Sequence, residues 1–278
     1  MAQLIQMRQR IKAVETTKKI TQAMRLISMS THSRLRHKKV HLLAYKNAFQ
    51  NLWQKIKHLP ATNTTQDSAL PQRHLVILVS SQKGLCGTFN THLFKFFDIQ
   101  LTQFTDSYDF ISVGRYATDH LKSLVLPLVA SYSTFSSNNF VAIANAITEI
   151  ISKNSAYSSV TVYSNYPRTF FVQKPQKAEI LPLDEKTLVS QSAQEPSQDY
   201  LIEESAEQLN TLIERLTLSI SLQELLFESL LSEQAARFLS MDSATRNAEK
   251  LIVAMKLEYN KTRQATITRE LTELSASY

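Results

Sequence analysis

The stretch "AEQLNTLIERLTLSISLQELLFESLLSEQAARF" (residues 206–238) opens a run that holds neither proline nor glycine through to Tyr278. Ala206, Leu209, Ile213, Leu216 and Ile220 step by three and four, and Phe227 and Leu230 keep the register. After a phase shift, Met241, Ala244, Ala248, Leu251 and Met255 resume the alternation. Such spacing puts an apolar residue about every 3.5 positions, the seam of helices wound around a partner. One helix over 203–276 would be roughly 110 Å long at 1.5 Å per residue. That exceeds the diameter of a globular domain of this size, so the helix must project.

The same absence recurs at the other end. All seven prolines lie between Pro60 and Pro196, and all three glycines between Gly84 and Gly114. Proline disfavours a helix interior by about 3 kcal/mol and glycine by about 1, so long helices exclude both. The chain therefore divides into an N-terminal helix (1–59), an α/β middle region ending in a polar linker (60–200) and a C-terminal helix (201–278). The N-terminal arm carries a weaker seam: Leu4, Met7, Ile11 and Val14, then polar "ETTKK", then Ile20, Ala23, Met24 and Ile27. Antiparallel pairing with the C-terminal arm is the natural arrangement. Two ordinary core helices of a bundle are the alternative, and the very unequal lengths argue against it.

The middle region alternates strand and helix. "HLVILVS" (74–80), "YDFISVG" (108–114) and "SSVTVYSNY" (158–166) read as strands. "NTHLFKFFDIQLTQF" (90–104), "YATDHLKSL" (116–124) and "FVAIANAITEIISKN" (140–154) read as helices. This order predicts a Rossmann-like, largely parallel sheet with right-handed crossovers. "TFFVQKPQKAEILPL" (169–183) is open between edge strand and loop, and "DEKTLVSQSAQEPSQDY" (184–200) reads as the linker.

Composition excludes several classes. One cysteine permits no internal disulfide and no multi-cysteine zinc site, and the seven histidines lack metal-ligand spacing. No window approaches the roughly 20 apolar residues of a membrane span. The first residues place charges where a signal peptide needs an apolar core, and so read as mature sequence. "SSQKGLCGTFNTH" (80–92) follows a strand and holds two glycines and the cysteine, which raises a phosphate cradle or a nucleophile elbow. Both fail on spacing: there is neither G-x-x-x-x-G-K-[ST] nor G-x-G-x-x-G, and Thr88 stands where an elbow needs glycine. Cys86 reads as a small buried hydrophobe. No cofactor, metal or small-molecule substrate is expected.

The formal charge of +7 suits an acidic partner, an anionic membrane face or nothing specific. Lys18, Lys19, Arg25, Arg34, Arg36, Lys38 and Lys39 raise nucleic acid, but no aromatic interleaving or reading module accompanies them. They form either a solvated face or a stripe that meets an acidic protein. Ala235, Ala236, Ala244 and Ala248 would let another helix approach closely. Asn260, Arg263, Gln264 and Thr268 lie near the end of the C-terminal helix, where polar side chains suit contacts with another chain.

These residues carry a resemblance. "MRQRIKAVETTKKITQAMRLI" (7–27), "SSQKGLCGTFN" (80–90), "SEQAARFLSMDSATRNAEKLI" (232–252) and "YNKTRQATITRELTEL" (259–274) resemble four motifs of the F-type ATP synthase gamma family. They stand in that family's order and at its distances from both ends. The resemblance implies an antiparallel coiled-coil shaft on an α/β foot, with no chemistry on this chain. It implies partners: an alpha–beta hexamer that carries the catalytic sites, the epsilon subunit, and a c ring. It implies a peripheral place on the cytoplasmic face of a bacterial inner membrane, with no nucleic acid bound. Carried over by position, Arg263, Gln264 and Thr268, with Asn260 beside them, match contacts with beta near the shaft tip. Met24 falls in a segment that faces the acidic lever of beta, where Lys18, Lys19 and Arg25 add charge. Lys83 stands where the family has an arginine facing beta.

The sequence also departs from the pattern. "SQKG" replaces "SDRG", losing an acid and the fork geometry of arginine. "STHSR" (30–34) replaces "SKMRK", and Arg25 stands where an acid is common. With one cysteine, the regulatory dithiol of the chloroplast form is absent. A non-rotary coiled-coil adaptor that keeps the fold is the alternative function.

Overall fold

The computed structural model describes residues 2–56, 73–102, 108–153, 157–182 and 206–276. In chain order these form α1 (Ala2–Ile56), β1 (Arg73–Val79), α2 (Phe89–Leu101), β2 (Tyr108–Val113) and α3 (Arg115–Ser123). They continue as β3 (Leu128–Tyr132), α4 (Phe140–Lys153), β4 (Tyr157–Thr169), β5 (Val172–Leu181) and α5 (Ala206–Ala276). At 71 residues, α5 is about 106 Å long.

The sheet order is β3-β2-β1-β4-β5, parallel except for β5, which runs antiparallel to β4. The segment left open between strand and loop is thus an edge strand, joined to β4 through Phe170 and Phe171. Strand β3 escapes a reading by apolar runs because "LVASY" is short and only half-buried along an edge. The residues read as a linker, 184–200, lie outside the described residues.

Residue alternation along β1 explains how the sheet is covered. Leu75, Ile77 and Val79 pack on one face with α4 (Ile143, Ile147) and the foot-level part of α5 (Leu218, Leu222, Leu226). Val76 and Leu78 pack on the other with α2 (Leu93, Phe97) and α3 (Ala117, Leu121). Burial on both faces is why this strand reads as one continuous apolar run.

Helices α1 and α5 pair antiparallel, and here the expected seam needs correction. Buried and half-buried positions of α1 run through Leu4, Met7, Ile11, Val14, Lys18, Thr21, Arg25, Ser28 and on to Leu35 without a break. Ile20 and Ile27, expected in the seam, are 55% and 64% exposed, and Ala23 is exposed as well. On α5 the seam is Met241, Thr245, Ala248, Ile252, Met255, Tyr259, Thr262 and Thr266. Leu251 is 50% exposed whereas Ile252 is 9%. The physical reason is that matched polar pairs share the seam with Ile11, Met241, Ala248 and Ile252. Thr245 donates to Thr21 (Oγ1–Oγ1, 2.9 Å), Lys18 meets Glu249 (3.0 Å), Arg25 meets Asp242 (2.7 Å) and Lys256 meets Glu15 (2.7 Å). Lower down, Lys39 pairs with Glu228 at 3.2 Å and Lys46 with Glu224 at 2.6 Å. Leu209, Ile213, Leu216 and Ile220 do lie in the seam, around Phe49 and Trp53. The side chain of Ala206 lies outside the described residues.

Candidate partner-binding site

The glycine loop after β1 sits at the carboxyl ends of the parallel strands, where open α/β sheets bind ligands. Here the chain's own helix α5 packs against the loop, leaving a cleft of about 550 Å³ between Cys86, Phe89, Asn165, Phe171 and Ser240. Arg237 of α5 donates from Nη2 to the Lys83 carbonyl (3.0 Å) and from Nε to the Gly84 carbonyl (3.3 Å). The loop thus turns carbonyls toward a guanidinium, the reverse of a phosphate cradle. Arg237 also donates to Glu233 at 2.5 Å, and both side chains are more than nine-tenths buried. Burial pushes the Glu233 carboxyl above the usual carboxylate range, against the pull of Arg237 and, more weakly, Lys83.

Around this clamp the loop is internally tied. Asn90 Nδ2 donates to Ser81 Oγ at 2.7 Å, and the Ser81 amide donates back to Asn90 Oδ1 at 3.2 Å. Cys86 is buried with Phe89 and Ala236, and burial pushes its thiol up, away from the thiolate a nucleophile needs. Gly114, which caps α3, has φ +91°, and a Cβ there would lie 2.3 Å from the Ser80 carbonyl oxygen. Between the loop glycines, Leu85 holds φ +63° with its side chain in solvent, a conformation uncommon for any residue but glycine.

The structure brings together two residues that the sequence places in separate motifs. Met24 and Lys83 line one cleft of about 360 Å³, with Gln82, Ser136, Gln234 and Glu233. Lys83 itself is exposed. Lys18 and Arg25 are different: their charges face Glu249 and Asp242 inside the helix pair, and Asp242 also receives Arg246. Lys19 is exposed on the outer side of α1.

Near the far end of α5, Asn260, Gln264 and Thr268 line up at i, i+4, i+8 on an exposed face, with Arg263 beside them. The Thr268 hydroxyl donates to the Gln264 carbonyl at 3.0 Å. Asn260 also borders a groove of about 790 Å³ between the helices, shared with Ile5, Arg8, Lys12 and Lys256. Beyond Thr266 every described residue of α5 is exposed.

Two features escaped the sequence reading. One is the Glu233–Arg237 clamp. An i, i+4 charge pair beside the adjacent alanines of "SEQAARF" was the available signal. The other is a strut from the β4–β5 hairpin. The ring of Phe170 meets His32 of α1 (centroids 4.9 Å apart) and Phe238 of α5 (5.4 Å). Burial, aided by the charge of Arg36, pushes the His32 imidazole below its ordinary value of 6.5.

The family model described as ATP synthase matches residues 3–278. Similar proteins named ATP synthase gamma chain include one from Clostridium acetobutylicum, 31% identical, with 98% of this chain and 96% of that one covered. Another, from Trichlorobacter lovleyi, is 30% identical over 99% of this chain and 97% of its own length. In fold, the chain resembles a rotor chain of the Euglena gracilis mitochondrial ATP synthase (TM-score 0.67, 16% identity, 96% and 99% covered). It likewise resembles a chain of the Tetrahymena thermophila mitochondrial ATP synthase central stalk and c ring (TM-score 0.56, 22% identity, 81% and 99% covered).

Proposed function

The chain belongs to the ATP synthase gamma family, and from that premise we propose how its architecture serves the central stalk. It is a non-catalytic subunit that couples ion flow through a membrane c ring to ATP synthesis or hydrolysis, whose catalytic sites lie on beta subunits. The paired α1 and α5 are the shaft, and the sheet with its covering helices is the foot.

One observation carries the reading: the upper shaft exposes large apolar side chains that its own helix pair does not bury. Its seam holds Lys18–Glu249, Thr21–Thr245 and Arg25–Asp242, while Ile20, Leu26, Ile27, Leu251, Val253 and Leu257 are exposed on the two helices. A helix pair standing free in water would turn such side chains inward. Apolar exposure on several sides suits a sleeve that encloses the shaft rather than a partner on one side. Past the seam, Ile267 and Leu271 share one exposed face of α5, as a bearing tip requires.

Within that sleeve, Asn260, Arg263, Gln264 and Thr268 contact beta near the tip. Met24 and Lys83 face the acidic lever of beta from the rim of their shared cleft, with Lys19 as the free charge nearby. Lys18 and Arg25 act indirectly, by holding α5 against α1. Rotation of so unevenly surfaced a shaft presents each catalytic site with different contacts in turn, which is coupling by rigid-body motion. The foot, residues 60–200, stands on the c ring with the epsilon subunit beside it. A peripheral position at the cytoplasmic face of a bacterial inner membrane is supported by the bacterial relatives. Among the described residues no helix is long and apolar enough to cross a membrane.

Co-purification tests the reading. Tagged chain should bring down alpha, beta and epsilon subunits together with ATPase activity. Recovery from its native cell without alpha and beta would sink it and favour the adaptor.

A further inference from the structure

We propose that the outward face of α1 from Arg34 to Tyr45 is a second docking surface, which takes an acidic helix of a neighbouring subunit lying alongside the shaft. The inference rests on the central-stalk reading, but it concerns a stretch farther down α1 than Met24.

The first observation is charge sign. After Glu15, α1 contains no acidic residue through Ile56, yet carries nine lysines and arginines. A solvated helix face normally mixes signs, because i, i+4 pairs then offset like-charge repulsion. Nothing on α1 does so here. Seam cations find their counter-charges across the interface: Lys18, Arg25, Lys39 and Lys46 each meet a carboxylate of α5.

The second observation is where the remaining cations point. Arg34, Lys38, His41 and Tyr45 follow i, i+4, i+7, i+11, all exposed, on a line that turns away from α5. No ion pair joins Arg34 or Lys38 to a described residue; Arg34 only reaches Thr31 Oγ1 at 3.4 Å. Farther up the shaft the same line is apolar, with Ile20 and Ile27 exposed. The face therefore changes chemistry along its length, from a section suited to an apolar sleeve to a section suited to carboxylates.

Geometry chooses the occupant. At 1.5 Å per residue the row spans about 16 Å along the helix axis. A shaft standing on a membrane-embedded ring meets the lipid plane end-on, so headgroups would reach at most one turn of the row. A helix packed alongside, with acids at i and i+4, meets Arg34 and Lys38 in register, and His41 and the Tyr45 ring add polar and amphipathic contact at the lower end.

Zero-length carbodiimide coupling of the intact complex tests this, since it joins a lysine amine to a carboxylate held at ion-pair distance. Lys18–Glu249 at 3.0 Å and Lys46–Glu224 at 2.6 Å are built-in standards that must couple. Lys38 should couple to a carboxylate on a helical peptide of another subunit, and Lys38→Gln should abolish that adduct. Arg34→Glu with Lys38→Glu should weaken retention of that subunit about 1.5- to 5-fold per lost pair, most clearly as salt rises. The inference is overturned if the standards couple while Lys38 stays free, or if Lys38 couples only to lipid or to the chain's own acidic stretch 184–204. Absence of alpha and beta from the preparation overturns the stalk reading as well, and subunit composition recognises that case independently of the coupling pattern.

Discussion

Replacing Arg237 with alanine removes the side chain that hydrogen-bonds the glycine loop to the shaft. The change leaves Glu233 buried without its counter-ion and takes two donated hydrogen bonds from the carbonyls of Lys83 and Gly84. Breaking a buried pair from one side costs about 3–5 kcal/mol, chiefly because the remaining charge is stranded. The loss should be local, since the loop meets α5 through little besides this clamp and the Cys86–Phe89–Ala236 contact. Converted at 1.36 kcal/mol per decade, amide exchange across residues 81–92 should accelerate by roughly two to nearly four orders of magnitude. Hydrogen exchange with mass spectrometry on the assembled complex reads this peptide by peptide, with β1 as the unaffected reference. The effect carries a pH signature. Burial raises the folded Glu233 above its ordinary 4.5, so the stability of the neutral acid is complete below 4.5 and is withdrawn as pH climbs through the folded value. Arg237→Ala should therefore open the loop most at neutral pH and least near pH 4.5. Removing both charges in Glu233→Gln/Arg237→Met should return part of the protection. Exchange within about threefold of wild type at pH 7 would refute the clamp.

The other expected outcomes test separate parts of the structure. Gly114→Ala should lower stability by about 2–3 kcal/mol, because the Cβ would overlap the Ser80 carbonyl at a left-handed φ, while Gly84→Ala should do far less, since it meets only the swinging hydroxyl of Tyr116; urea unfolding followed by Trp53 fluorescence compares them. Arg263→Ala with Gln264→Ala should impair ATP turnover by the complex and leave its subunit composition intact, and unchanged turnover would count against both as partner contacts. Burial lowers the folded pKa of His32, so its contribution to stability is full above 6.5 and is lost as pH falls below it; His32→Phe should flatten that acid limb, as read by denaturant midpoints between pH 7 and 5.5.

The elements that depend on chain-local physics were the most legible. Proline and glycine exclusion places both long helices to within a few residues, and the continuous apolar run of β1 marks a strand covered on both faces. Strand β3 was missed because an edge strand of five residues makes no apolar run. The residues proposed to face partners divide in the same way. Asn260, Gln264 and Thr268 share an exposed face because i, i+4 spacing alone fixes it. That Met24 and Lys83 meet across one cleft depends on how α1 packs against the loop after β1, which no spacing encodes. Lys18 and Arg25 looked free because their carboxylates lie more than two hundred residues away.

The misplaced seam has a cause that reaches beyond these residues. Assigning apolar positions to the nearest partner helix assumes that the burial of each helix is completed within its own chain. Along the upper shaft that assumption fails. Ile20, Ile27 and Leu251 are apolar toward the outside, and Thr21, Arg25, Asp242 and Thr245 are polar toward the inside. A seam of charged and hydroxyl pairs specifies register but adds little stability, since half-exposed pairs contribute about 0–1 kcal/mol each. The helices are anchored lower down, where Leu35, Leu218, Leu222 and Leu226 enter the core of the foot. Above that anchor the pair needs its surroundings to bury what it exposes. The two sequence periodicities therefore belong to two surfaces, a seam of mixed apolar and polar residues that aligns α1 with α5 and an outer apolar set that the helix pair leaves exposed. Reading them as one seam places Leu251 where Ile252 belongs.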